Sequence, residues 1–314
     1  MGMKNVFRVG ILLLLLLLAA CGDAPPTEPQ TDTSTRNNSI DPNAPTIVIG
    51  DVSNNIDATT DYWQPMADYL AANLDAYERG AVRVAQDLDT MAEWLRNGEV
   101  DIYIDSSYPT IYTSDISGAE IVLRHWRGGV DEYHTVIFAM ADSGLTSLDD
   151  LVGQHVAFDR AASTSGNFLP TIFLRENGYT LAELSGVNAD VPEGTIGYIF
   201  SGEDVNTIQW VLSGRVDAGA VESIEFDNLP RETRNAITVI AETRSLPRQL
   251  VSFTPNMDDE ISQAIIAIMT DMESSEAGQA VLEHIDTTRF DELPDGVVAF
   301  RDDMQALLTL FETE

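Results

Sequence analysis

The sequence predicts an α/β fold of two lobes joined by a two-crossing hinge, with a ligand cleft between them, and three observations carry that prediction. Short apolar runs alternate with amphipathic helical patterns along the body of the chain, as strands and crossover helices do. The run YHTVIFAMADSGLTSLDDLVGQHVAFD reads as strand, short loop, short helix and strand, a passage out of one sheet and into another. Near SLPRQLVSFTP a second extended segment returns the chain, after which only helical patterns follow. Two crossings make a hinge, and a cleft between lobes is a favoured ligand site.

Residues 1–20 stand apart from this fold. Lys4 and Arg8 precede an unbroken apolar core at 11–18, too short to cross a bilayer as a helix, so the segment reads as a secretory signal. It closes on Leu18-Ala19-Ala20-Cys21, which resembles the lipobox of bacterial lipoproteins, where the cysteine thiol is acylated and the chain is cut before it. Residues 21–45 are rich in Pro, Thr, Asn and Asp and cannot bury enough surface to offset their chain entropy. They read as a disordered tether.

The strands expected beyond it are TIVIGDV (46–52), AVRVAQD (81–87), VDIYI (100–104), AEIVLRHW (119–126), YHTVIFAMA (133–141), HVAFD (155–159), GYIF (197–200), VDAGAV (216–221), AITVIAE (236–242) and QLVSFT (249–254). YWQPMADYLAANL, DTMAEWLRNG, SLDDLV, GNFLPTIFLREN and DVNTIQWVLSG supply the intervening helices, and the sheets are expected to be mostly parallel. The crossings assign 46–136 with 248–314 to a first lobe and 137–247 to a second.

Composition excludes several functions. With 51 acidic against 17 basic residues the net charge is −34, so the surface repels nucleic acid. Cys21 is the only cysteine, which rules out an internal disulfide and a thiolate metal cluster, and no two histidines stand at ligand spacing. No metal and no cofactor are expected. Lys4 is the only lysine, a bias for which there is no physical account here.

The most informative stretch is AASTSGNFLPTIFL at 161–174, in which Ser163, Thr164, Ser165 and Gly166 directly precede an apolar run at helical spacing and follow the strand HVAFD. Backbone N–H groups at a helix start, with hydroxyls beside them, stabilise negative charge without lysine or arginine. A simple helix cap needs one hydroxyl, and three stand here.

DYWQPMADYL, GEVDIYIDSSYPTIY, DSGLTSLDDLVGQHVAFDRAASTSGNFLPTIFL and SGRVDAGAV occur in the order found in the phosphate, phosphite and phosphonate substrate-binding proteins of ABC importers, and the chain resembles that family over roughly 46–255. The resemblance implies the type II periplasmic-binding-protein fold and a role for Ser163, Thr164 and Ser165 in gripping an oxyanion, with Gly166 allowing close backbone approach. Asp105, Ser106, Ser107 and Tyr108 follow a strand end, where open α/β sheets hold their ligands. Tyr108 could equally pack at the helix start.

Relatives often carry an aromatic residue where this chain has Asp105, and a carboxylate there repels an anion unless it accepts a ligand proton or pairs with a ligand amine. Asn54 and Asn55 after the first strand, and Tyr133 at the crossing, complete the expected wall. Glu203 or Asp204 at a helix start and Glu222 after VDAGAV are the acidic candidates of the second lobe; Glu203 could instead complement a helix dipole. If Asp105 and Glu222 both face the cleft, a zwitterionic ligand is favoured over bare phosphate.

The function implied is that of a monomeric, extracytoplasmic binding protein, anchored to the membrane through Cys21, that delivers a small oxyanion or zwitterion to an ABC permease. A binding lobe reporting to a sensor kinase is the alternative. A hydrolase using Ser163 or Ser165 is disfavoured, since the chain lacks Gly-x-Ser-x-Gly and an evident histidine partner.

Overall fold

The computed structural model describes residues 44–312; the signal segment, Cys21 and nearly all of the tether lie outside the described residues. The first stretch runs β1 (Thr46–Val52), α1 (Ile56–Asn73), β2 (Arg79–Ala85), α2 (Leu88–Asn97), β3 (Ile102–Asp105), α3 (Ser107–Ser117) and β4 (Glu120–Arg127). Local chemistry sets these boundaries. The Asn55 carboxamide accepts the Ala58 N–H at the start of α1, and Asp87 accepts that of Thr90 at 2.7 Å at the start of α2. Gly98, at φ 68°, ends α2 in the left-handed conformation that glycine adopts without penalty.

A short strand, β5 (Glu132–Tyr133), then leads into β6 (Thr135–Met140), β7 (His155–Phe158), α4 (Leu169–Glu176), β8 (Thr180–Glu183), β9 (Thr195–Phe200), α5 (Asp204–Leu212), β10 (Ala218–Glu222), α6 (Ser223–Asp227), α7 (Arg231–Asn235) and β11 (Ile237–Glu242). The chain returns through β12 (Leu246–Pro247) to β13 (Gln249–Phe253), and ends in α8 (Asp259–Thr270), α9 (Glu276–His284), β14 (Thr287–Asp291) and α10 (Gly296–Phe311).

Two six-stranded sheets result, in the orders β14-β4-β13-β3-β1-β2 and β11-β6-β10-β7-β9-β8. The two crossings pair with each other: β5 and β12 form an antiparallel ribbon with Tyr133 opposite Leu246. This is the two-lobed α/β architecture expected from the sequence.

Two expectations need correction. The sheets are mixed rather than mostly parallel, because β6 and β13, which enter from the other sheet, run antiparallel to their neighbours. Nor do only helices follow Pro255: β14 pairs antiparallel with β4. Both β14 and the unforeseen β8 are edge strands, TTRFD and TLAE, each with a single large apolar residue, so neither shows the pattern of a buried strand.

Each sheet is covered on both faces. Trp63, Met66 and Leu70 of α1 pack with Ile47, Ile49 and Ile102 on the first sheet, while Leu174 of α4 and Ile208 and Val211 of α5 cover opposite faces of the second. Burial of each such side chain stabilises the fold by about 1.5–3 kcal/mol. Phe168, Leu169 and Ile172 share a further cluster with Ile111, Leu250, Met304 and Leu307, so the two halves are joined by apolar packing as well as by the hinge ribbon.

Candidate functional site

Between the sheets lies a cleft of about 340 Å³ with a predominantly polar wall. Its floor comes from the STSG segment. After Phe158 the chain turns through Asp159 and Arg160 to Ser163, and Thr164–Phe168 forms a π-helical turn that continues into α4. Phe168 N–H donates to the Ser163 carbonyl at 3.0 Å, and Gly166 N–H donates to Ser163 Oγ at 2.9 Å. Glycine is required at 166 because a Cβ there would lie 2.2 Å from that of Asp159.

The hydroxyls divide their tasks. Thr164 Oγ1 accepts the Tyr108 N–H and donates to Ser106 Oγ, both at 2.9 Å, tying the turn to the start of α3 across the cleft. Ser163 acts as the cap, and its hydroxyl also bonds the Asp159 carboxyl. The Ser165 carbonyl accepts a bond from Thr135 at 2.6 Å, which fixes the turn against β6.

Of the residues expected from the sequence, Asp105, Ser106, Tyr133, Ser163, Thr164, Ser165, Glu203 and Glu222 line this cleft. Five others do not. Ser107 is buried and donates to the Pro247 carbonyl at 2.9 Å, bracing the hinge. Tyr108 stacks on Phe168 at 4.9 Å and packs against Phe311, the helix-start role. Gly166 sits beneath the turn against Asp159. Asn54 and Asn55 line a neighbouring cavity.

Sequence reasoning missed most of the charge. Arg127, Arg160 and Arg248 line the cleft unforeseen, as do Asp159 and Glu225, together with Val205 and Gln249, and Asp204 lines it alongside Glu203. The cleft therefore offers guanidinium groups in addition to the N–H groups and hydroxyls of the STSG turn. The strand-end rule applied to Asp105 applies equally to Asp159 and Arg160 after HVAFD and to Arg127 after AEIVLRHW, and it could have found them. Arg248 and Gln249 lie on the return crossing, where no periodic signal marks a pocket residue.

Arg248 spans Glu222 with Nη1 to Oε2 at 3.1 Å and Nη2 to Oε1 at 3.3 Å, and its guanidinium lies 4.5 Å from the Tyr133 ring centre. Asp159 approaches Arg160 at 3.5 Å. Arg127 makes no ion pair among the described residues and lies 5.8 Å over the Tyr62 ring. Asp105 accepts bonds from the Tyr103 hydroxyl at 2.7 Å and the Ser106 N–H at 2.6 Å.

Burial, reinforced by the charges of Asp159, Glu222 and Glu225, pushes the Asp204 carboxyl up to about 7. Burial likewise raises Glu222 against the pull of Arg248, and raises Asp159 against that of Arg160. Just behind Asp105, burial and then the Asp105 charge push Asp51 up to about 7, although Trp63 donates to it at 2.7 Å. The cleft thus carries six carboxyl groups, several reluctant to ionise, and three guanidinium groups. Such a surface complements a ligand with charge of both signs.

The profile of the family of periplasmic substrate-binding proteins of phosphonate ABC transporters matches residues 53–296. The chain belongs to this family. Its members bind small molecules and deliver them to an ABC permease, and they are solute-binding proteins rather than enzymes.

Solved structures agree with the fold of this binding protein. A Xanthomonas citri protein solved bound to ATP is 25% identical with a TM-score of 0.77, the match covering 85% of this chain and 97% of that one. A binding component of an ABC phosphonate transporter from Pseudomonas aeruginosa is 18% identical, with a TM-score of 0.62 over 85% of this chain and 88% of the other. PhnD1 from Prochlorococcus marinus, solved in complex with methylphosphonate, is 15% identical, with a TM-score of 0.62 over 83% and 96%.

Proposed function

We propose that this binding protein is a lipid-anchored monomer that captures a small zwitterion, with a phosphonate-type oxyanion at one end and an amine at the other, for an ABC importer. The lobes, 46–136 with 248–314 and 137–247, close on it. The observation that carries this reading is the mixed charge of the cleft, where three arginines face six carboxyl groups. The oxyanion meets Ser163, Ser165 and the N–H groups of the π-helical turn, with Ser106, Tyr133 and the unpaired Arg127 opposite. The amine meets Asp159, Asp204 and Glu222, whose mutual repulsion a cation relieves.

A bare oxyanion would leave Asp204, which makes no ion pair among the described residues, uncompensated, which is why a zwitterion is preferred to phosphate or phosphite. ATP, held by the Xanthomonas citri relative, shares a phosphorus oxyanion with the ligand proposed here.

A thermal-shift screen of phosphate, phosphite, alkylphosphonates, aminophosphonates, sulfonates and simple amines tests the ligand class. A ligand at ~100 times its dissociation constant adds roughly 2.7 kcal/mol to the native state. Aminophosphonates are expected to give the largest shift; a larger one with phosphate or a plain amine contradicts the zwitterion reading.

Anchoring rests on Leu18-Ala19-Ala20-Cys21. Cys21→Ser is expected to leave an unacylated precursor, read by incorporation of labelled fatty acid. Normal acylation of that variant contradicts the anchor.

A further inference from the structure

Beside the inner cleft lies a second cavity of about 670 Å³, and the two share Arg160 and Glu203 as a common wall. It is built from both halves of the fold. The first contributes Ser53, Asn54 and Asn55 after β1 and Gln86, Asp87 and Leu88 after β2; the second contributes Arg160, Ala162, Gly202 and Glu203.

Its chemistry differs from that of the inner cleft. Beyond the shared pair its only charged side chain is Asp87, one oxygen of which is already engaged by the Thr90 N–H as the cap of α2. The remaining polar wall is neutral. Ser53 Oγ accepts the Asn55 N–H and keeps its proton to donate, and Asn55 Oδ1 caps α1, which leaves its NH₂ free. Among the described residues the carboxamides of Asn54 and Gln86 make no hydrogen bond within the protein. Val52, Leu88 and Ala162 supply apolar surface between them. Neutral donors and acceptors interleaved with small apolar patches suit hydroxyl groups on a carbon chain, which need both partners at each oxygen and contact with the intervening carbons.

We propose that the second cavity is a subsite for a neutral, hydroxylated extension of the ligand, so that the protein selects oxyanions esterified to a polyol over the same head group alone. This rests on the zwitterion reading of the inner cleft. The extension passes between Arg160 and Glu203 and is touched by both halves, so it strengthens closure as well as contact.

The methyl ester of phosphoethanolamine and glycerophosphoethanolamine share the phosphodiester anion and the amine and differ only in the esterified alcohol, methanol against glycerol. Isothermal titration of the full-length protein is expected to show the glycerol ester binding about fivefold tighter or more, as one or two added hydrogen bonds predict. The ratio of the two affinities should collapse towards one in Asn54→Ala combined with Gln86→Ala. Both positions are exposed, so the variant is expected to fold, and an unchanged melting temperature checks this. Equal affinities in the parent protein, or a ratio that survives the double substitution, overturn the subsite while leaving the inner-cleft reading intact. Failure of both probes and of aminophosphonates to bind overturns the two readings together.

Discussion

Replacing Arg248 by alanine is expected to lower the unfolding free energy by about 3 kcal/mol and to abolish ligand binding. Arg248 follows β12 on the return crossing, whereas Glu222 ends β10 in the second sheet, so their two-pronged contact joins hinge to lobe. Both side chains are nearly enclosed, 13% and 12% exposed, and burial already pushes the Glu222 carboxyl up. Without its partner Glu222 is a buried carboxylate with only the weaker pull of Arg127 to offset its charge. Adding Glu222→Gln to Arg248→Ala removes that charge and should recover most of the lost stability, while binding stays impaired because the cation and the wall over Tyr133 are gone. Urea unfolding and titration of the two variants with an aminophosphonate separate these effects. A single variant within about 0.5 kcal/mol of the parent would mean that the pair stabilises nothing.

Acidification from pH 8 to pH 5 is expected to raise the melting temperature of the ligand-free protein by roughly 5 °C, a shift that corresponds to a few kcal/mol for a domain of this size. Asp51 and Asp204 titrate near 7 in the fold, and burial pushes Asp101 up to about 6, against an ordinary value of 3.8 for each. Between those limits the folded chain holds more protons than the unfolded one, so stability is full below about 4 and is lost as pH rises through 6 to 7. Asp51→Asn and Asp204→Asn should each flatten the profile and stabilise the protein at pH 8. Affinity should move the opposite way. The amine meets the full charge of its acidic wall only when Asp204 is ionised, so aminophosphonate binding weakens on acidification through about 7. Stability that rises with pH over this range contradicts the burial assigned to these carboxyl groups.

The fold was legible because ten apolar runs alternate with helical patterns and because both crossings leave extended segments in the sequence. The edge strands were not, since TLAE and TTRFD bury too little to impose a pattern. The STSG turn was legible from its hydroxyls and its position after a strand, but the division of labour within it was not. That Thr164 holds Ser106 and Tyr108, and that Tyr108 stacks on Phe168, depends on partners more than fifty residues apart. The arginines were hidden by the composition. In a chain with a net charge of −34 nothing marks them as a group, and only the folding of two strand ends and a hinge into one cleft brings Arg127, Arg160 and Arg248 together.

The zwitterion reading is tested most directly by the affinities of 2-aminoethylphosphonate and ethylphosphonate, measured by calorimetry at pH 8 on the same protein. The two share an oxyanion and a two-carbon chain and differ by the amine alone. One charge-assisted hydrogen bond to the wall of Asp159, Asp204 and Glu222 contributes about 1.5–3 kcal/mol, so the amine should bind about tenfold tighter or more. Ethylphosphonate binding as tightly as its amino derivative would contradict the proposed role of that wall.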